Sequence, residues 1–228
     1  MEISESGYLH IKQLLKPEEL ETVVGLATVG RFVDGKLTAV DAAASVKSNM
    51  QMPQEGSLES QQIGNIVMRV IAQNPIVQSA IMPKMILPPI VSKYQPGMNY
   101  GLHVDSPLMG SQYTIRTDVG MTLFLSDPES YEGGELVIHS EIGEVKYKLA
   151  KGDAIIYPTT KLHKVNPVTS GERLAAVTWM QCVVRDSQKR EILFKLKAAN
   201  DELRSANPNA FLNLQQVYSN LIRMWAEL

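Results

Sequence analysis

Cysteine is almost absent from this chain. The single residue, Cys182, leaves no partner for an internal disulfide and fits a reducing compartment, which we expect to be the cytoplasm. Long apolar runs are missing too: nothing approaches the ~20 consecutive residues that a membrane span needs. The first residues include Glu2 and Glu5 and no apolar stretch, so they do not read as a secretory signal. Nor is there an excess of one charge. The net is -2, without a long Lys/Arg run, which argues against a nucleic-acid or membrane-surface role. Internal repeats and low-complexity segments are also lacking. With 44% hydrophobic and 20% charged residues, the 228-residue chain is equipped to bury a full core as one domain with small helical additions.

Helical patterns lie at the two ends. Pro17-Glu18-Glu19 opens one, with Pro in the first turn and acids at the positive helix end; Leu20, Val23, Val24 and Ala27 share a face, and Gly30 closes it. A second fits 58–73, with Leu58, Ile63, Ile66, Val67, Val70 and Ile71 at helical spacing and Asn74-Pro75 as the stop. After Val184, Ile192, Leu193, Leu196 and Leu203 form one stripe. Asn207-Pro208 interrupts it, and Phe211, Leu214, Val217, Tyr218, Leu221, Met224, Trp225 and Leu228 form another. We expect a C-terminal helical hairpin that packs on the body of the protein or on a second subunit, with a partner groove as the alternative. The apolar surface of the two stripes makes a homo-oligomer the expected assembly.

Between these ends the texture is that of short strands. Candidates are 81–86, 90–94, 119–125, 135–139, 144–149, 154–157, 163–166 and 173–183, separated by turn signals such as Pro96-Gly97, Asp127-Pro128, Gly133-Gly134 and Lys151-Gly152-Asp153. Close spacing of this kind points to an antiparallel sandwich or barrel, mainly β with flanking helices. The expected organisation is an N-terminal helical and strand support region at 1–78, a β core at 79–183 and the helical hairpin at 184–228.

Only four histidines are available for metal chemistry: His10, His103, His139 and His163. His103-Val104-Asp105 follows a turn-prone segment, and in an extended chain residues i and i+2 project to the same side. His163 comes 58 positions after Asp105, where a rolled β-fold returns its strand to the first pair. Two neutral imidazoles and one carboxylate on one side of an ion leave coordination positions open, a set that suits non-haem iron(II) oxygenases. An His-x-Asp pair alone is common, and the weight comes from the addition of His163 and Arg173. Arg173 lies ten positions beyond His163, across an expected hairpin turn at 168–171 that would put it on the neighbouring strand. Facing inward from a run as apolar as Leu174-Ala175-Ala176-Val177, it needs an anion. Asp153 or Glu172 is the structural candidate; a dicarboxylate ligand held through a bidentate contact is the functional one.

The segment Tyr94-Gln95-Pro96-Gly97-Met98-Asn99-Tyr100-Gly101-Leu102-His103-Val104-Asp105 resembles the Tyr-x-x-Gly-x-x-Tyr-x-x-His-x-Asp signature of prolyl-4-hydroxylase-like oxygenases. His163, Arg173 and Trp179 follow in the order and spacing of that family, and the whole chain, helical tail included, resembles the bacterial PKHD-type hydroxylases. The resemblance is strongest over 79–183. It implies a double-stranded β-helix (jelly roll) and an Fe(II)- and 2-oxoglutarate-dependent dioxygenase using O2. Iron would be on His103, Asp105 and His163, and the distal carboxylate of 2-oxoglutarate on Arg173. Tyr94 would line the cosubstrate pocket and Trp179 would form its wall. It further implies release of succinate and CO2, and L-ascorbate as a reductant.

The remaining residues have plainer readings. His10 and His139 read as surface or strand-end histidines, Cys182 as a small buried thiol, Gly133-Gly134 as a turn, and the Met residues at 50, 52, 82 and 85 as core filler. The polar stretch 106–118 is the candidate entrance lid. Two rival functions remain: a non-enzymatic cupin-like metal-binding barrel, which has no need of Arg173, and a metal-dependent hydrolase, which wants a carboxylate base that neither ligand segment supplies. The substrate, a prolyl or lysyl side chain or a small molecule, is not legible.

Overall fold

A computed structural model describes residues 2–3, 8–38, 41–110, 113–140 and 143–227. Leu228 of the last apolar stripe, and positions 111 and 112 of the expected lid, lie outside the described residues. The early strands are β1 (Glu2–Ile3), β2 (Leu9–Ile11), β3 (Val33–Asp34), β4 (Lys47–Ser48), β5 (Met50–Gln51), β6 (Pro83–Ile86) and β7 (Ile90–Tyr94). There follow β8 (Asn99–His103), β9 (Leu108–Met109), β10 (Ile115–Arg116), β11 (Val119–Phe124), β12 (Tyr131–Gly133) and β13 (Leu136–Ser140). The last are β14 (Gly143–Tyr147), β15 (Ala154–Pro158), β16 (His163–Val165), β17 (Val168–Gly171) and β18 (Arg173–Cys182). The helices are α1 (Pro17–Val29), α2 (Asp41–Ser45), α3 (Leu58–Gln73), α4 (Pro75–Ala80), α5 (Ser187–Ala206) and α6 (Pro208–Trp225).

Two antiparallel sheets make the jelly roll. The large one runs β1-β2-β15-β11-β18-β7-β5-β3, with β6 continuing along the far end of β18; the small one runs β14-β13-β16-β8-β4. One face of the large sheet is covered by α1 and α3. Val23 and Ala27 of α1 and Ile63, Val67 and Ile71 of α3 are buried in one cluster with Val91, Met121, Leu123, Ile156 and Ala176 of the strands. Each such side chain removed from water is worth about 1.5–3 kcal/mol for residues of Val or Ile size, so the helices are tightly docked. The other face meets the small sheet through Phe124, Ile155, Tyr157, Leu136 and Ile138. Coverage on both faces explains why β11 is buried at every position and shows no polar alternation.

Several expectations change. The region 1–78 does more than support the core, because β2, β3, β4 and β5 are members of its two sheets. Asn74-Pro75 does end α3, but it also begins α4: the Asn74 side chain accepts hydrogen bonds from the N–H groups of Ile76 and Val77, and Pro75 occupies the first turn. The strand expected from 81 therefore starts only at Pro83. Leu58 opens α3 from the outside, 71% exposed, rather than joining its apolar face. Met52 is fully buried, while Met50, Met82 and Met85 are only half-buried.

The C-terminal hairpin is present, with Asn207 capping α6 through the Ala210 N–H. Its stripes are narrower than expected: Leu193 is buried but Ile192 exposed, and on α6 Val217 and Met224 face solvent. Among the described residues no helix is long and apolar enough to cross a membrane.

Candidate metal centre

The site is assembled by one strand pair of the small sheet. In β8 and β16 the residues His103 and His163 stand directly opposite each other. Each ring is oriented by a backbone carbonyl two residues upstream: His103 Nδ1 lies 2.8 Å from that of Gly101 in β8, and His163 Nδ1 lies 3.0 Å from that of Lys161 in the turn before β16. A carbonyl only accepts, so each Nδ1 carries the proton and each Nε2 is left with its lone pair free. Asp105 follows β8, with Oδ1 3.7 Å from His163 Nε2. That separation is too long for a hydrogen bond and leaves room for a third body between the two atoms. One ligand atom from each of His103, Asp105 and His163 lies within 4.8 Å of the others.

Burial sets the protonation states. It holds the His103 imidazole down, to about 4, with the neighbouring His163 acting in the same direction. Burial also raises the Asp105 carboxyl above its ordinary range, against the pull of His163. Asp105 Oδ2 has no hydrogen-bond partner despite being buried. Two neutral nitrogen donors and an orphaned carboxylate oxygen converging on one point fit a divalent metal. Packing fixes the ligands from behind: the Tyr100 ring stacks on His103 at 3.6 Å, Tyr157 meets His163 edge-on at 5.2 Å, and Gly120 of β11 leaves space beneath Asp105 that a Cβ would bring into contact at 3.5 Å.

The same cavity, ≈ 100 Å³, is lined by Arg173, Tyr94 and Trp179. Arg173 is only 1% exposed. It does not reach the cavity as a neighbour of His163: β16 belongs to the small sheet and β18 to the large one, so the two residues face each other across the sandwich. The expected hairpin turn at 168–171 is instead strand β17, paired with β12. Both acids considered as partners are engaged elsewhere. Asp153 bonds to His10 Nε2 at 2.8 Å and to the Gln13 N–H at 2.9 Å; Glu172 pairs with Lys93 at 3.4 Å. His10 is thereby a half-buried member of β2 rather than a surface residue. Among the described residues Arg173 has no carboxylate within ion-pair distance, and its Nε has no partner. Its guanidinium lies over the Tyr94 and Phe124 rings, 5.2 and 5.6 Å from their centroids. The Trp179 Nε1 is a second buried donor bordering the cavity, and its pull on the Asp105 carboxyl opposes the rise caused by burial.

The turn at Gly133-Gly134 has a role beyond reversal. Gly134 adopts φ +66, and a Cβ there would stand 3.0 Å from Arg173 Cδ, so the turn seats the arginine stem. The stretch 106–118 is not an open loop: β9 and β10 pair within it, and Thr117 Oγ1 donates to the Ser106 carbonyl at 2.6 Å. Ser106 and Met109 from this segment border the cavity. It is also bordered by Thr38, Lys47 and Gln51. Sequence reasoning missed these three, because nothing local distinguishes them before β4 pairs with β8 and β5 with β7.

Two family profiles match the chain. That of the 2OG-Fe(II) oxygenase superfamily covers residues 89–181, and that of the PKHD-type hydroxylase C-terminal domain covers residues 186–227. A PKHD-type hydroxylase of Synechococcus sp. (strain JA-2-3B'a(2-13)) is 45% identical over 223 residues, which is 96% of this chain and 99% of that protein. One of Gluconobacter oxydans (strain 621H) is 41% identical over 226 residues, again 96% of this chain and 99% of that protein. Among solved structures, a Pseudomonas putida prolyl-4-hydroxylase is similar with TM-score 0.56 and 16% identity, covering 78% of this chain and 95% of that one. A Trichoplax adhaerens prolyl hydroxylase, in complex with a hypoxia inducible factor oxygen degradation domain peptide fragment, gives TM-score 0.55 and 18% identity over 83% of this chain and 88% of that one. At those identities the structural likeness concerns the fold.

Proposed function

Because the chain belongs to the PKHD-type hydroxylases of the 2OG-Fe(II) oxygenase superfamily, we propose that it hydroxylates its substrate with His103, Asp105 and His163 holding Fe(II) and Arg173 holding the distal carboxylate of 2-oxoglutarate. Tyr94 lines the cosubstrate pocket beside Arg173, and Trp179 forms its wall. When bound, iron and 2-oxoglutarate would supply the oxidising chemistry, one O2 yielding one hydroxylated product, succinate and CO2.

The protein's own contribution is positioning and charge. His103 and His163 present neutral Nε2 donors because backbone carbonyls hold the Nδ1 protons in place. Asp105 adds a single negative charge, so a divalent ion there keeps a net positive site that attracts an anionic oxo acid. Arg173 offers its planar fork from the opposite sheet in surroundings too apolar for water to compete. Tyr94, Leu136, Tyr157 and Val165 are buried around it and exclude solvent from the reacting region. Ascorbate, as the reductant restoring ferrous iron, enters this reading on family resemblance alone.

The observation that carries the proposal is the buried Arg173, without a carboxylate partner among the described residues, in the cavity that holds the two histidines and Asp105. A non-enzymatic cupin-like metal-binding barrel gives that cation nothing to bind. A hydrolase needs a carboxylate base, and Asp105 is the only carboxylate among the described residues lining the cavity. Anaerobic loading with Fe(II) followed by 2-oxoglutarate tests the assignment. A visible charge-transfer band, and succinate on admission of O2, are expected; a metal-loaded protein that yields neither refutes it.

A further inference from the structure

Lys47 is the second cation of the cavity, and nothing in the reading above employs it. Only 5% of it is exposed, and it lies on β4, the edge strand of the small sheet, opposite Tyr100. Its Nζ donates to Thr38 Oγ1 at 3.0 Å and stands 5.1 Å over the Tyr100 ring, the ring that stacks on His103. Among the described residues no carboxylate lies within ion-pair distance of it. An ammonium carries three donors. One is given to Thr38, which leaves donor capacity on an ammonium whose side chain lines the cavity beside the Tyr100 ring.

The wall behind Lys47 is built. Gln51 and Ser92, 5% and 2% exposed, are joined by a hydrogen bond from Gln51 Nε2 to Ser92 Oγ at 3.1 Å. Gln51 also bonds to Thr38, whose hydroxyl receives the Lys47 ammonium. The chain Ser92–Gln51–Thr38–Lys47 thus links β7 and β5 of the large sheet to the amine on the edge strand of the small one and holds it in place. A side chain that merely braced the wall would have no use for a charge, since burying an unpaired cation is costly. Burial pulls the ammonium down to about 8, with Asp34 and Asp105 opposing, and a carboxylate beside it would favour the charged form.

We propose that Lys47 recognises a carboxylate on the primary substrate, so that the molecule oxidised is a free acid rather than an uncharged peptidyl side chain. This rests on the oxygenase reading, in which Arg173 is occupied by the oxo acid and the charge of Asp105 is committed to the metal. The two cations then divide two acids between them: Arg173 from β18 of the large sheet takes the cosubstrate, and Lys47 from β4 of the small sheet takes the substrate.

The test uses the full chain loaded with Mn(II) and the unreactive oxo-acid analogue N-oxalylglycine, and reads binding by calorimetry rather than turnover. N-acetylproline and N-acetyllysine are each titrated against the corresponding C-terminal amide. For at least one pair the acid is expected to bind tenfold or more tightly than the amide. In Lys47→Met that preference should fall below twofold with N-oxalylglycine affinity unchanged; Lys47→Gln serves if the Met variant does not fold. Equal binding of acid and amide, no binding of either acid, or a preference that survives the substitution overturns the proposal. Failure of the Mn(II) protein to take up N-oxalylglycine instead overturns the oxygenase reading on which it stands, before any substrate acid is added.

Discussion

Replacing Arg173 with Met separates an arginine that holds a ligand from one that holds the fold. The substitution nearly conserves volume, so the seat made by Gly134 and the Tyr94 and Phe124 rings stays filled. No ion pair is broken, because Asp153 and Glu172 keep their own partners. Without cosubstrate the variant should therefore melt at or above the wild-type temperature, since an unpaired buried charge has been removed. With cosubstrate the order reverses. Losing one partner of a desolvated, charge-assisted bidentate contact costs about 3–5 kcal/mol, or roughly two to three and a half decades in Kd. At 2-oxoglutarate equal to 100 wild-type Kd, linkage stabilises the wild type by about 2.7 kcal/mol and a variant weakened 100-fold by only about 0.4. For a chain of this length, ~2–4 °C per kcal/mol makes that a shift of about 5–11 °C against about 1–2 °C. Thermal scans with Mn(II), with and without 2-oxoglutarate, read the difference, and anaerobic charge-transfer titration with Fe(II) checks the affinity directly. A folded Arg173→Met protein that keeps its 2-oxoglutarate shift refutes the role; one that is several degrees less stable without ligand shows a structural arginine.

Three further outcomes are expected. His103→Ala, Asp105→Ala and His163→Ala should each abolish iron-dependent 2-oxoglutarate turnover and lower Mn(II) affinity by at least tenfold while the circular dichroism spectrum is retained; normal succinate release from any of them at matched iron loading removes that residue from the centre. Gly134→Ala should cost about 1–2 kcal/mol in stability for its left-handed backbone and also weaken 2-oxoglutarate binding by displacing Arg173, whereas Gly97→Ala, at φ +88 with nothing within 4 Å, should show only the stability loss. The Cys182 thiol, pushed up to about 12 by burial, should stay unmodified by thiol reagents at pH 8 in the folded protein and react once the protein is unfolded, with fast labelling of the native state as the contrary result.

Local chemistry made part of this architecture readable in the sequence. The bounds of α3 follow from helical spacing closed by Asn74-Pro75, and β7 from an apolar run beside a Pro-Gly turn. Other elements depend on contacts that no local pattern encodes. The two-residue strands β4 and β5 exist because the longer β8 and β7 offer them hydrogen bonds, β3 in turn pairs with β5, and α4 was hidden because one Asn-Pro pair both stops a helix and starts the next. The candidate triad that the structure brings together was legible because His103 and Asp105 lie two apart on extended chain and histidine is rare. Arg173 was legible as an inward charge, but not the sheet that carries it: a ten-residue spacing fits a hairpin as well as a crossing between sheets. Lys47 gave no signal, since its surroundings come into being only when β4 joins β8.

The wall formed by Thr38, Lys47 and Gln51 comes from a stretch of chain upstream of α3, whereas the triad and Arg173 all fall between β8 and β18. Inheritance can therefore act on the two parts separately. Exchanges of side chain at Thr38, Lys47 and Gln51 would remodel that wall of the cavity, whereas insertions there would also disturb β8 and β7, on which β4 and β5 pair. On the proposed roles, a lineage changes diet by redrafting side chains of this short prologue and keeps the oxidising machinery behind it.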